Sequence, residues 1–282
     1  MRPISLTVIG LGAIGGSLAW QARLAGIPRV VGYSPSQADG IEALKAGALT
    51  DLAASPVTAV QGADLVVLAV PPRATLDLIR QLAESLEPGA LLTDVCSVKA
   101  PVVEAAVEAG LGDRFAGGHP LAGTHATGFA SSRPDRLRGC VVYVCETPTG
   151  TGHRAALAIR RFWAETLEAL PVAIDAAAHD RQLAWTSHLP QAVAYALATA
   201  VAGRGLAGVS FGSGMRDTTR LAASSPEMWL DILLYNEAAT AEAMEAVESR
   251  LAELRALMRR RDADGLRAYL EAAQRFRRGL DR

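Results

Sequence analysis

Three kinds of side chain sit in settings that ordinary helix and strand patterning does not explain. One histidine is held between a glycine pair and a proline, in Gly117-Gly118-His119-Pro120, with Gly123, Thr124 and His125 just beyond. Glycines let a ligand approach the backbone, and the proline fixes the direction of the neighbouring ring. His119 is therefore a candidate functional imidazole, against the plainer reading of a solvated loop side chain. Ser97 lies in Asp94-Val-Cys-Ser97-Val-Lys99, at the exit of an apolar run. Arg216 and Arg220 follow Gly212-Ser-Gly214, four residues apart, so on a helix they share a face. A guanidinium fork matches a carboxylate bidentately, which makes the pair a candidate anion site. The alternative is an ion pair with Asp217 or Asp231.

A fourth feature is made of absent side chains. Gly10, Leu11, Gly12, Ala13, Ile14 and Gly15 form G-x-G-x-x-G between the apolar run 6–9 and an amphipathic segment reaching about Leu24. The first glycine permits a tight turn, and the second lets backbone approach a pyrophosphate. The third lets a helix lie close on its strand, with the helix N-terminal amides facing the phosphates. This predicts a dinucleotide-binding unit. A glycine-rich turn that binds nothing is the alternative.

These residues need a scaffold, and the chain supplies one. Apolar runs at 29–33, 65–70, 90–94, around Phe115, at 141–144 and at 169–174 read as strands. Helical segments alternate with them at 36–46, 75–86 and from Gly152 to about 165. The fold class predicted is α/β, an N-terminal Rossmann-like doubly wound parallel sheet over residues 1–174. Val70 and Pro71 end one strand in a loop at the carboxyl edge of the sheet, where ligands of such sheets bind. Ser97 and the Gly117–His119 loop leave the sheet at the same edge. Ser34 ends the second strand where an acidic residue commonly meets the ribose of NAD, and Ser36 adds a hydroxyl. Neither repels a 2′-phosphate, which tilts the reading towards NADP, with NAD the alternative.

From residue 175 to 282 strand signals vanish, predicting an all-helical domain. The AVAYALATAVA run, 192–202, is apolar nearly all round and belongs in a core or a subunit interface. A long helix is predicted over 227–259 and a last one ending near Arg278.

Composition narrows the class. The 282 residues are 50% hydrophobic and 20% charged with net charge −1, which gives no pull towards nucleic acid or an anionic membrane. Cys96, Cys140 and Cys145 lack metal-ligand spacing, so no metal is expected and the thiols suit a reducing cytoplasm. The N-terminal run lacks a signal-peptide cleavage site, and 189–202 is too short to span a bilayer.

Taken together, GLGAIGGSLA, DVCSVK, GGHPLAGT, HDRQLAWTSHLP and GMRDTTRLAASSPEMW, in that order, resemble the prephenate/arogenate dehydrogenase family of tyrosine biosynthesis. The resemblance implies an active site between a Rossmann domain and a helical domain through which two subunits dimerise. It implies oxidation of a cyclohexadienol, prephenate or arogenate, with hydride passing to NAD(P) and carbon dioxide leaving. His119 matches the histidine that takes the ring hydroxyl proton, and Ser97 a serine that orients it. Arg220 matches the arginine on a substrate carboxylate, with Arg216 the weaker candidate. His188 matches a pocket histidine and Trp229 an aromatic at the mouth of the site. Gln191 stands where many members carry a histidine, His125 where many carry a glutamate and Ser34 where many carry an aspartate. The amide at Gln191 can accept from an ammonium, which would favour arogenate. No regulatory or mutase segment is recognised, so a monofunctional enzyme is expected. The alternative of another class is a non-catalytic dinucleotide sensor, which would be expected to have lost His119, Ser97 and Arg220.

Overall fold

The computed structural model describes residues 3–123, 127–149, 152–205 and 209–280. Thr124 and His125, predicted to line the substrate site, lie outside them. The first half alternates strand and helix. β1 (Ser5–Ile9) leads through the glycine turn into α1 (Ala13–Leu24), followed by β2 (Arg29–Tyr33) and α2 (Gln37–Lys45). A two-residue β3 (Asp51–Leu52) and a single turn, α3 (Pro56–Ala59), precede β4 (Leu65–Leu68), α4 (Pro72–Leu82), β5 (Leu91–Asp94) and α5 (Ala100–Glu108). Then come β6 (Phe115–Pro120), β7 (Val141–Glu146), α6 (Gly152–Arg161) and β8 (Leu170–Ala173).

The eight strands form one sheet in the order β3-β2-β1-β4-β5-β6-β7-β8. The first six are parallel, β7 runs antiparallel to β6, and β8 is parallel to β7. Strand order reverses between β1 and β4, so their carboxyl ends diverge into a crevice. Every residue of β1 and β4 is buried, as expected for strands covered on both faces by helices. One apolar cluster joins α1 and α6 to one face, and a second joins α4 and α5 to the other.

After β8 the chain is helical. α7 (Ala176–Leu183) passes through a π-helical turn, Ala184–His188, into α8 (Leu189–Ala202). α9 (Ser213–Thr219), α10 (Pro226–Tyr235), α11 (Glu237–Arg260) and α12 (Ala263–Gly279) complete the described residues. No helix among them is long and apolar enough to cross a membrane.

Four local expectations change. Gly117, Gly118 and His119 are not loop residues: antiparallel pairing with β7, His119 opposite Tyr143, extends β6 to Pro120. The helix expected from residue 75 begins earlier, at Pro72, whose missing N–H costs nothing in the first turn of α4. The predicted helix over 227–259 is two helices, broken at Asn236 (φ −123°, ψ 38°). Arg216 and Arg220 do not share one α-helix, because α9 ends at Thr219 and Arg220 opens a 3₁₀ turn, Arg220–Ala223.

Candidate active site

The glycine turn fits a dinucleotide. Gly10 adopts φ +98°, and a Cβ there would stand 2.2 Å from the Ala69 carbonyl oxygen, against the start of the Val70–Pro71 loop. A Cβ on Gly15 would lie 1.9 Å from the Gly10 carbonyl oxygen, so only glycine lets α1 sit this close. Gly12 differs, since a Cβ there meets none of the described residues within 4 Å. That open space adjoins the N-terminus of α1, which no side chain caps. The first-turn amides from Ala13, Ile14 and Gly15 are thus available to a phosphate. At the end of β2, the Ser34 hydroxyl accepts from the Ser36 backbone N–H at 3.2 Å, and Ser36 caps α2 through Asp39 N at 3.3 Å.

His119 is buried, and its Nδ1 lies 2.9 Å from Nε2 of His179 on α7. His179 in turn places Nδ1 2.7 Å from the Asp180 carboxylate. That carboxylate accepts from the backbone N–H groups of Lys99 and Ala100, each at 2.8 Å. Asp180 therefore sits at the start of α5, where the helix dipole favours an anion. The His179 ring packs edge-on against both His119 and Tyr143.

A second imidazole belongs to the same network. His188 is fully buried, with Nδ1 3.0 Å from Nδ2 of Asn236, which also donates to the Asp180 carbonyl oxygen at 2.8 Å. Trp229 lies edge-on to His188 with ring centres 5.9 Å apart, and shares an apolar cluster with Val98. Val98 neighbours half-buried Ser97, so the loop after β5 closes the ring of contacts. Nε2 of His188 and Nε1 of Trp229 are buried with no hydrogen-bond partner among the described residues. Trp229 is itself buried within its own chain.

Beneath this ring lies an ion pair that sequence reading did not assign. Lys99 and Asp94 pair with both side chains fully buried, and the ammonium also donates to the Gly118 carbonyl oxygen at 2.8 Å. Asp94 accepts from the Cys96 and Gly118 backbone N–H groups, holding the ends of β5 and β6 together. Burial pushes His119 well below the usual imidazole range, and His179, Lys99 and His188 add to the effect. Burial likewise lowers His179, against the opposing bond to Asp180, and takes His188 to about 4. All three shifts favour the uncharged imidazole at neutral pH.

Gln191, one turn along α8 from His188, donates to the Leu221 carbonyl oxygen at 2.6 Å, tying the Arg220 turn to this end of the network. Arg216 and Arg220 are exposed, and neither enters an ion pair among the described residues. Asp231 pairs instead with Arg73, Nε to oxygen 3.7 Å, and accepts from the Arg73 backbone N–H at 3.1 Å. The structure thus joins His119, His188 and Trp229 through His179, Asp180 and Asn236, and brings Gln191 to the Arg220 turn; Ser97 stands beside Val98, which packs with Trp229. It does not tie Arg216 to either group. Signals for the unassigned members lay in the adjacent His179-Asp180 pair and in Lys99 five residues past a strand-ending Asp94.

A doubly wound sheet with an uncapped glycine turn at its crevice, and neutral imidazoles meeting it from a helical half, defines a dinucleotide-dependent dehydrogenase with two structural halves. Comparison with known proteins narrows this. Residues 19–169 match the family model for prephenate dehydrogenase, nucleotide-binding domain, and residues 175–272 that for prephenate dehydrogenase, dimerization domain. Prephenate dehydrogenase of Bacillus subtilis is 32% identical over 98% of this chain and 76% of its own length. A cyclohexadienyl dehydrogenase of Zymomonas mobilis is also 32% identical, over 98% and 95%. The structure of prephenate dehydrogenase from Aquifex aeolicus with hydroxyphenyl propionate and NAD+ superposes with TM-score 0.89 at 29% identity, covering 98% of each chain. The chain belongs to the prephenate dehydrogenase family, and it is an oxidoreductase that uses NAD(P).

Proposed function

We propose that this chain oxidises prephenate with decarboxylation to 4-hydroxyphenylpyruvate, with His119 as the base. The observation that carries this reading is the His119–His179 contact: a neutral, buried imidazole of the sheet domain, held by the helical domain beside the strand ends where the cofactor binds. Bound NAD(P) supplies the hydride acceptor. His119 takes the proton of the ring hydroxyl as hydride leaves the same carbon, and Ser97 positions that hydroxyl. Arg220 holds a substrate carboxylate; its exposed guanidinium, without an ion pair among the described residues, supports this role. Among the described residues His188 Nε2 and Trp229 Nε1 find no partner, which supports a polar ligand beside them, because a buried polar group left unpaired costs stability. Thr124, His125 and Arg216 remain substrate-site candidates by resemblance to the family.

Arogenate is the second reading, and one bond favours it. The Gln191 amide nitrogen is engaged by Leu221, which leaves the amide oxygen, an acceptor suited to the ammonium of arogenate. Ser34 and Ser36 bring no carboxylate to the ribose position, which supports NADP over NAD. The dimerization-domain match and the exposed apolar side chains of the helical half, among them Leu230, Leu234, Leu270 and Phe276, support a homodimer through that half. The three free cysteines suit a cytoplasmic setting.

A two-by-two assay, prephenate and arogenate against NAD and NADP, tests these readings together. Reduced cofactor with prephenate is expected. Cofactor binding with no reduction from either substrate would leave a sensor in its place. Gln191→His should shift preference towards prephenate; an unchanged ratio removes the arogenate argument.

A further inference from the structure

We infer that Asp180 and Asn236 hold the two buried imidazoles of the site in opposite tautomers: His119 with Nε2 bare, His188 with Nε2 protonated.

The argument runs outward from groups that have no choice. Both oxygens of Asp180 already face backbone N–H donors, Lys99 and Ala100, so the carboxylate only accepts. His179 Nδ1, 2.7 Å away, must carry a proton to bond with it. A neutral His179 then has a bare Nε2, which accepts from His119 Nδ1 at 2.9 Å. His119 therefore carries its proton on Nδ1, and its remaining ring nitrogen, Nε2, is a lone pair. A second chain starts from a carbonyl. The Asp180 carbonyl oxygen takes a hydrogen bond from Asn236, which settles that the amide end there is the NH₂ group. Its other hydrogen points to His188 Nδ1, which must accept. His188 is neutral and so carries its proton on Nε2, the buried atom without a partner among the described residues.

The chemistry differs at the two rings. His119 offers an acceptor, ready to take a proton, while His188 offers a donor to an electronegative ligand atom. Both choices originate in residue 180, one through its side chain and one through its backbone, so a single α7 position sets both. His179, Asp180 and Asn236 are positioning residues in this arrangement. The consequence for turnover rests on reading His119 as the base, whereas the tautomers themselves do not.

The test is nitrogen NMR of protein labelled with 15N-histidine, without substrate at neutral pH, where ring shifts report which nitrogen is protonated. His119 protonated at Nδ1 and His188 at Nε2 are expected; either ring in the opposite tautomer overturns the inference. His179→Leu removes the link, and should let His119 drift towards the Nε2–H form with kcat falling about 10–100-fold. KM for the dinucleotide should stay unchanged. His179→Gln, whose carbonyl can still accept from His119, should keep the Nδ1–H form and restore most of kcat. An unchanged His119 spectrum in His179→Leu overturns the chain from Asp180. Should that variant fail to fold, the wild-type spectrum still decides. Correct tautomers together with an active His119→Asn enzyme would reject the base reading and leave this inference standing.

Discussion

Lys99 and Asp94 form an ion pair with no exposure on either side, and the same ammonium donates to the carbonyl oxygen of Gly118, the residue before His119. The pair thus fixes the backbone from which the catalytic candidate projects. It also keeps a positive charge near that ring, one of the causes that hold it neutral.

Breaking this pair from one side should be severe. Lys99→Met leaves Asp94 buried with its backbone donors but without its countercharge, a loss of about 3–5 kcal/mol. Urea unfolding checks it, and the double variant Lys99→Met/Asp94→Asn should recover part of the loss. A stability loss under 1 kcal/mol in the single variant would contradict the burial of the pair.

His119→Asn should retain dinucleotide binding, followed by tryptophan fluorescence, while turnover falls about 10²–10⁴-fold, the usual worth of a positioned base. Equal turnover in the variant and the wild type would remove His119 from the chemistry.

Arg220→Ala should raise KM for the cyclohexadienol, costing about 1.5–3 kcal/mol in kcat/KM, the range for a hydrogen bond to a charged group. Arg216→Ala should cost less, since that side chain is not joined to the Gln191 end of the network. A larger effect at Arg216 would reverse the two assignments.

Acid should weaken the fold. His119, His179 and His188 are all held below the ordinary imidazole value near ~6.5, so below that pH the unfolded chain binds protons that the folded chain refuses. Their contribution is complete above ~6.5 and is lost as pH falls, for His188 down to about 4. Melting temperature recorded from pH 7.5 to 4.5 should decline across that window. Replacing His188 with Asn should flatten the decline.

How much of this was legible in the sequence follows from the range of the interactions. The glycine turn, the alternating strands and the change to helices are local patterns, and they could be read directly. Ser97 and His119 stood out because their neighbours are unusual. His179 and Asp180 did not: a histidine and an aspartate opening a helix look like ordinary capping and surface residues. Only folding brings them 60 positions back to His119 and 80 to Ala100. Lys99 reads as a solvated cation until β6 is laid beside β5. The strand extension through Gly117 and Gly118 depends on β7, whose pairing no local propensity announces. The break at Asn236 was hidden because the residues on both sides are good helix formers, and what selects it is the amide's reach to His188 and Asp180.

Leu234→Glu with Phe276→Glu should convert a dimer to a monomer by light scattering, since both side chains are more than half exposed in the single chain. A wild-type protein that is already monomeric would remove the helical half as a pairing surface.

Asp180 and Asp231 leave the helical half at two places and each seats on the first turn of a different sheet-side helix, α5 and α4, through three backbone N–H bonds in all. Jaws pinned at two separate points cannot swing about either one. The spacing of His119 from His179 is therefore held from two sides, and neither carboxylate can be lost without leaving the helical half hung on the other.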